Sequence, residues 1–179
     1  MAAQTVVAEQ LPEFTTEYRT TVHTGVVTSP TEAGVALNEI AFEIKTHESG
    51  AREVVPLVDG DRFRDIVARF EEAARFSTPG SYAGIVPDHF RFGPLVDHFM
   101  GNGDWNPGAP AVLGCDCLEW GCWPFHAVIE VTNDRVRWTS FLGPKKDRDY
   151  SELGPFEFDR AHYEDALADL DCALGESDG

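Results

Sequence analysis

Apolar and polar side chains alternate most clearly at residues 39–45, EIAFEIK. Ile40, Phe42 and Ile44 would point to one face, as in a half-buried β-strand. The segment HESGAR then reverses the chain, and VVPLVDG predicts a second short strand that ends at Gly60. Together the two segments predict a β-hairpin.

A helical period replaces the alternation in the next segment. Apolar residues recur every three or four positions from Phe63 to Ala74, which predicts an amphipathic helix packed on a core, with Asp61 as its N-cap. A second helix is predicted over residues 160–174, with Asp159 as its cap. The apolar positions of this second helix are Tyr163, Ala166, Leu167, Leu170 and Leu174.

Glycine and proline interrupt the chain between these helices. Residues 77–110 predict a long irregular connection with a short helical turn at 94–100. Two strands, 125–132 and 135–141, follow the cysteine-rich segment, and Asn133-Asp134 between them predicts a tight turn with positive φ.

This layout predicts one α+β domain over residues 1–179, an antiparallel sheet made of the hairpin and a C-terminal meander, packed with two main helices. Residues 1–33 are poorly patterned, and the tail 175–179 is predicted to be disordered.

The charge of the chain is strongly negative. The formal net charge is −17, and the lysines are Lys45, Lys145 and Lys146 alone. This charge argues against nucleic acid and anionic membranes as partners, and leaves an unidentified protein or small molecule. Both salt adaptation and an arginine-preferring coding bias produce such a composition.

No apolar run approaches the roughly 20 residues that span a bilayer, and the N-terminus lacks the pattern of a secretory signal. We therefore expect a cytoplasmic location.

Three of the four cysteines lie in GCDCLEWGCWPF, residues 114–125. Cys115 and Cys117 would share one face of an extended strand, and Gly121 permits a bend that returns Cys122 to them. Three thiolates on one loop are a starting point for a tetrahedral zinc site, which takes four nitrogen or sulfur ligands. Four protein ligands would make the site structural, whereas a catalytic zinc keeps one position open.

The fourth ligand has several candidates. His126 is near in sequence, His98 lies in the irregular connection, and Cys172 lies near the end of the last helix. A straight strand would place His126 about 13 Å from Cys122, whereas the connection carrying His98 is free to fold back. The oxygen donors Asp116 and Glu119 suit zinc less well beside thiolates.

Other uses of the cysteines compete with zinc. Buried idle thiols are common in protein cores, and a disulfide is disfavoured in a reducing compartment. A redox thiol needs a lowered pKa, and the flanking Asp116 and Glu119 would oppose this. Two functions follow as hypotheses: a non-enzymatic binding protein with a structural zinc site, or a thiol- or metal-dependent redox enzyme.

The cysteine segment also resembles a known pattern. CDCLEWGCWPF is similar to the C-x-C-G-E-x-G-C-W-P segment of a family of small, uncharacterised bacterial proteins, common in actinobacteria. Residues 98–101, HFMG, resemble an upstream H-L-L-G, and residues 149–163 resemble W-D-Y-x-x-L-G-P-F-x-F-D-R-x-x-Y. The likeness covers residues 57–170.

This resemblance implies no activity. It implies that Cys115, Cys117, Cys122 and His98 belong together, which favours His98 as the fourth ligand. Leu118 stands where the family has glycine, and residues 143–146, GPKK, replace a stretch like Q-P-H-R.

Overall fold

The structure is a computed structural model that describes residues 36–79, 81–103, 106–119 and 121–175. The chain divides into two units, Met1–Val35 and Ala36–Gly179, and the description below concerns the second. The poorly patterned segment 1–33 and residues 176–179 of the predicted tail lie outside the described residues.

The second unit has the predicted α+β class, with the hairpin and the meander in two separate antiparallel sheets. The first sheet contains Ile40–Thr46 (β1), Arg52–Val58 (β2) and Asp61–Arg62 (β3), in that order. The second contains Tyr82–Ala83 (β4), Ala111–Cys115 (β5), Phe125–Val131 (β6), Arg135–Leu142 (β7) and Phe156–Asp159 (β8), also in chain order. The helices are Phe63–Ala73 (α1), Leu95–Phe99 (α2) and Arg160–Gly175 (α3).

Two single bridges connect the two sheets, each through one residue that lies just outside a strand. Val54 of β2 and Ile85 exchange backbone hydrogen bonds of 2.8 and 2.9 Å in an antiparallel bridge. Asn38 and Phe158 of β8 form a parallel bridge. Gly84 is needed at the first bridge, because a Cβ there would lie 2.3 Å from the carbonyl oxygen of Val54. The two sheets are therefore connected by backbone pairing at two places, each a single bridge.

Aromatic side chains from the second sheet meet the first residue of α1. The Phe63 ring is fully buried, and its centroid lies 5.5 Å from that of Trp138 and 5.6 Å from those of Phe141 and Phe156. Burying one such side chain contributes about 1.5–3 kcal/mol. The helical stripe thus packs on the core as predicted.

One of the two predicted helix caps is confirmed. The Asp159 carboxylate accepts a hydrogen bond of 3.1 Å from the backbone N–H of His162, in the first turn of α3. The prediction for Asp61 is wrong, because Asp61 pairs with Val58 in β3 and Arg62 is the residue that precedes α1. Pairing with Val58 in the sheet therefore outweighs the general preference of aspartate for the N-cap position.

The β6–β7 turn also differs from the prediction. Neither Asn133 nor Asp134 has a positive φ. The Thr132 hydroxyl holds the turn instead, since it accepts a hydrogen bond of 3.1 Å from the N–H of Arg135 and donates one of 3.2 Å to the Asp134 carboxylate. Within the described part of the chain, no helix is both long and apolar enough to cross a membrane.

Candidate metal centre

The cysteine-rich segment begins at the end of a central strand. Cys115 is the last residue of β5, and it lies opposite Tyr82 of β4. The carbonyl oxygen of Cys115 accepts a hydrogen bond of 2.9 Å from the N–H of Leu118, and the N–H of Cys122 donates one of 3.1 Å to the carbonyl of Glu119. These two turns fold the segment back towards the strand end.

The first of these turns places Leu118 in a backbone conformation that is uncommon for a leucine. Its φ is +67°, a left-handed conformation that costs a non-glycine residue about 1–2 kcal/mol. Its side chain is buried against Ala83 and Val86, and this burial offsets the cost. A glycine at this position would adopt this φ without strain.

The structure brings the three predicted sulfurs together. The ligand atoms of Cys115, Cys117 and Cys122 all lie within 4.8 Å of one another, so these cysteines could hold a metal ion. Zinc–sulfur bonds of about 2.3 Å at tetrahedral angles place sulfurs about 3.8 Å apart. Metal binding would therefore shorten the sulfur–sulfur distances by at most about 1 Å.

The three thiols differ in their surroundings. Cys115 is buried, whereas Cys117 and Cys122 are exposed. The Cys115 thiol donates to a carboxylate oxygen of Asp116 at 3.4 Å, and the N–H of Cys117 donates to the Cys115 sulfur at 3.5 Å. Burial is the main reason that the pKa of Cys115 rises to about 12.

The pKa of Cys117 shifts in the opposite direction to that of Cys115. A hydrogen bond with the Cys115 side chain and one from the backbone N–H of Glu119 lower the pKa of Cys117. The Asp116 charge does raise this pKa, as its position in the sequence suggested, but its effect is the smallest of those acting on the thiol. Local hydrogen bonds therefore outweigh the flanking charge.

The structure does not bring His98 to the sulfurs. His98 lies in α2 with no exposed surface, and its Nε2–H donates a hydrogen bond of 2.8 Å to the carbonyl oxygen of Ala111. Ala111 and Cys115 are the two ends of β5, about 13 Å apart for a strand of this length. In this arrangement His98 is a core residue, packed against the ring of Phe90 with 4.6 Å between ring centroids.

The other candidate ligands also lie elsewhere. The Nδ1–H of His126 donates to the carbonyl of Ala109 at 3.0 Å, and His126 pairs with Ala111 at the far end of β5. Cys172 is exposed on α3. In the part of the chain that the structure describes, the three cysteines are the group of ligand atoms that could hold an ion.

A tryptophan and a lysine lie beside the cysteine segment. The Nζ atom of Lys145 is 5.4 Å from the centroid of the Trp123 ring and donates a hydrogen bond of 3.3 Å to the Thr78 hydroxyl. Trp123 directly follows Cys122, and its Nε1 atom is buried with no hydrogen-bond partner among the described residues. The cation thus lies over the ring of the residue that follows Cys122.

Tyr82, which lies opposite Cys115, belongs to a buried polar cluster formed with Glu71, Arg148 and Tyr150. One carboxylate oxygen of Glu71 accepts hydrogen bonds from Arg148 at 2.7 Å, from Tyr82 at 3.2 Å and from Tyr150. Gly143 leaves room for the Tyr150 hydroxyl, since a Cβ at this position would lie only 2.8 Å from it.

Glu71 and Arg148 are both buried, although charged side chains are rarely buried unless they are paired. The sequence does contain a sign that Glu71 is buried. Glu71 follows Val67 by four residues and therefore lies on the same, buried face of α1.

No known protein family, curated protein or solved structure matches this chain.

Proposed function

We propose that this chain is a zinc-binding protein in which Cys115, Cys117 and Cys122 supply three of the ligands and the ion serves as a structural cross-link. The observation that carries the proposal is the approach of three sulfurs to within 4.8 Å on a segment with only six residues between the first and the last. Thiolates are soft ligands, and zinc is the common redox-inert ion that they bind. The ion would tie the end of β5 to the segment before β6.

The proposed role is non-enzymatic, as a binding or interaction protein. Because metal binding and folding are coupled, the ion would contribute directly to the stability of this face. The net charge of −17 favours a basic protein or a small molecule over nucleic acid or an anionic membrane as the partner. A reducing compartment such as the cytoplasm would keep the thiols available to the metal.

Elemental analysis of the purified full-length chain, together with a free-thiol count, tests the proposal. We expect about one zinc per chain, lost when Cys115, Cys117 or Cys122 is replaced by serine. Cys172→Ser is the matched control, because Cys172 is exposed and outside the cluster. A metal-free protein whose melting temperature does not change when zinc is added would refute the proposal.

One observation favours the thiol-redox alternative. Hydrogen bonds lower the pKa of Cys117, and Cys122 is one of the two thiols within 4.8 Å of it. A redox role predicts that hydrogen peroxide oxidises these two exposed thiols to a disulfide with release of two molecules of water, and that a dithiol reductant reverses this. Mass spectrometry after peroxide treatment would show the loss of two hydrogen atoms, about 2 Da, and Cys122→Ser would abolish it.

A further inference from the structure

The outer edge of β1 is the edge that faces away from β2. Glu39, just before β1, directs its backbone towards the β2 side, since its carbonyl accepts a hydrogen bond of 3.0 Å from the N–H of Asp59. Asn38 directs its backbone the other way, because its N–H donates one of 2.7 Å to the carbonyl of Glu157 in β8. Backbone groups of successive strand residues alternate between the two edges. The residues of β1 whose N–H and C=O groups face outwards are therefore Ile40, Phe42 and Ile44.

These outward-facing backbone groups have no partner in the described part of the chain. Among the described strands, β1 pairs with β2 alone, and no described residue bonds to the backbone of Ile40, Phe42 or Ile44 on the outer edge. The bridge between Asn38 and Phe158 lies just before β1 begins. An unpaired edge is a template for a strand from another chain.

A groove of about 450 Å³ lies between this edge and α3. Its lining includes both Ala41 and Phe42, whose side chains point to opposite faces of the strand, so the groove follows the edge of β1. On the other side it is lined by α3 from His162 to Ala173. The lined parts of β1 and α3 are about 13 and 16 Å long, so the two elements border the groove over similar lengths.

Two carboxylates of α3 line the same groove. Asp165 and Asp169 are exposed and one helical turn apart. Neither forms an ion pair with a described residue, whereas Glu164 is paired with Arg160 at 2.7 Å. Side chains four residues apart on a helix are separated by about 6 Å, and side chains two residues apart on a strand by about 6.6 Å. Two basic side chains on one face of an extended segment therefore match the two aspartates.

We propose that the outer edge of β1 binds an extended basic segment of a partner protein as an added strand. The backbone of this segment pairs with Ile40, Phe42 and Ile44. Two of its basic side chains, two residues apart, pair with Asp165 and Asp169. Their methylene stems cover the apolar part of the groove while the charged ends reach the carboxylates.

The charge of the protein favours this occupant over a second copy of the chain. Two copies of net charge −17 repel each other, whereas a basic segment is attracted. The inference names a surface and a kind of partner for the interaction role proposed above, and so rests on that role. It does not depend on the metal, because no residue of the groove belongs to the cysteine cluster.

Two synthetic peptides test the proposal on the full-length protein. Acetyl-SVRVRVS-amide carries two arginines two residues apart, and acetyl-SVQVQVS-amide has the same alternation without the charges. Chemical-shift titration of the ¹⁵N-labelled protein gives a Kd for each peptide. We expect the arginine peptide to bind more tightly, because its guanidinium groups pair with the two carboxylates.

A matched pair of variants separates local recognition from net charge. Asp169→Asn should weaken binding of the arginine peptide by about two- to fivefold, as for an exposed ion pair. Asp171→Asn is the control, because Asp171 is an exposed aspartate of the same helix that does not line the groove. Equal weakening by the two variants would show that net charge attracts the peptide, and would overturn the proposed surface.

Backbone hydrogen exchange tests the strand pairing itself. The amides of Ile40, Phe42 and Ile44 should exchange quickly in the free protein and slowly in the complex with the arginine peptide. The amides of Ala41 and Glu43 face β2 and should change little. Protection that appears only in other parts of the protein would overturn this surface, while leaving the interaction role in place.

The same exchange data identify other occupants of the edge. Protection of the outward-facing amides that increases with protein concentration, without peptide, would assign the edge to a second copy of the chain. Protection that is independent of concentration would show that the edge is already covered. If neither peptide binds, the edge does not take a basic strand. Each of these results overturns the inference, and the zinc content of the same sample tests the metal site separately.

Discussion

Tyr82 lies directly opposite Cys115 in the antiparallel pair of β4 and β5. Its hydroxyl donates to the buried carboxylate of Glu71 at 3.2 Å and lies 3.2 Å from the hydroxyl of Tyr150. The backbone position of the first metal-ligand candidate is thus adjacent to a buried polar cluster. This relationship couples the strand end that carries Cys115 to the interior of the protein.

We expect Glu71→Gln to destabilise the protein by about 3–5 kcal/mol, because Arg148 would remain buried without its counter-charge. The side chains of Glu71 and Arg148 are 0% and 3% exposed, so solvent cannot compensate. Urea unfolding measures the loss. The double variant Glu71→Gln/Arg148→Met should recover part of it, and a loss below about 1 kcal/mol in the single variant would contradict the proposed ion pair.

His98 should contribute to stability rather than to metal binding. His98→Ala removes a fully buried ring and leaves the Ala111 carbonyl without its donor, so we expect a loss of about 2–4 kcal/mol in the free energy of unfolding. Zinc stoichiometry should stay the same. His162→Ala, at an exposed side chain, is the control and should change stability by less than about 0.5 kcal/mol. Metal loss without destabilisation would instead restore His98 as a ligand.

The same histidine predicts a pH dependence. Burial lowers the pKa of His98 from 6.5 to about 4, so between these pH values the unfolded chain binds a proton that the folded chain does not. The free energy of unfolding should therefore fall as the pH drops from 6.5 to 4, by up to about 3 kcal/mol from this group. Burial also lowers the pKa of His126, which acts in the same direction.

Urea unfolding at several pH values measures this dependence. His98→Gln keeps an N–H donor for Ala111 but has no titrating group, so its stability should fall less steeply over this range. An unchanged slope in His98→Gln would show that other groups cause the effect.

At Leu118 we expect glycine to be better tolerated than alanine. Both substitutions lose the buried leucine side chain, but only glycine relieves the positive φ of 67°. Leu118→Gly should be about 1 kcal/mol more stable than Leu118→Ala, the reverse of the usual order of these two residues. Thermal or urea unfolding of the metal-free variants makes the comparison, and a more stable alanine variant would argue against the left-handed turn.

Salt adaptation remains a prediction from composition. If the charge of −17 and the scarcity of lysine are an adaptation to salt, the melting temperature should keep rising well above about 0.15 M KCl, where exposed charges are already largely screened. A melting curve that is flat or falls between low and molar KCl would leave arginine-preferring coding bias as the explanation.

The cysteine cluster shows which contacts could be predicted from the sequence and which could not. The spacing of Cys115, Cys117 and Cys122 predicted that their sulfurs meet, because all three lie in one short segment. The predicted reason differs from the structure: β5 ends at Cys115, and a turn rather than an extended strand brings Cys117 back to it. His98 could not be placed in this way. Its position depends on α2 packing beside β5, a contact between segments with no local sequence signal.

The sequence alone determined the alternation in β1, the apolar stripes of α1 and α3, and the cap at Asp159. Each of these features depends on residues that are close to one another in the chain. Only the tertiary structure decided that Glu71 and Arg148, 77 residues apart, share a buried site. A charged residue on a helix is normally stable in water, and its burial becomes favourable only when the fold supplies the opposite charge.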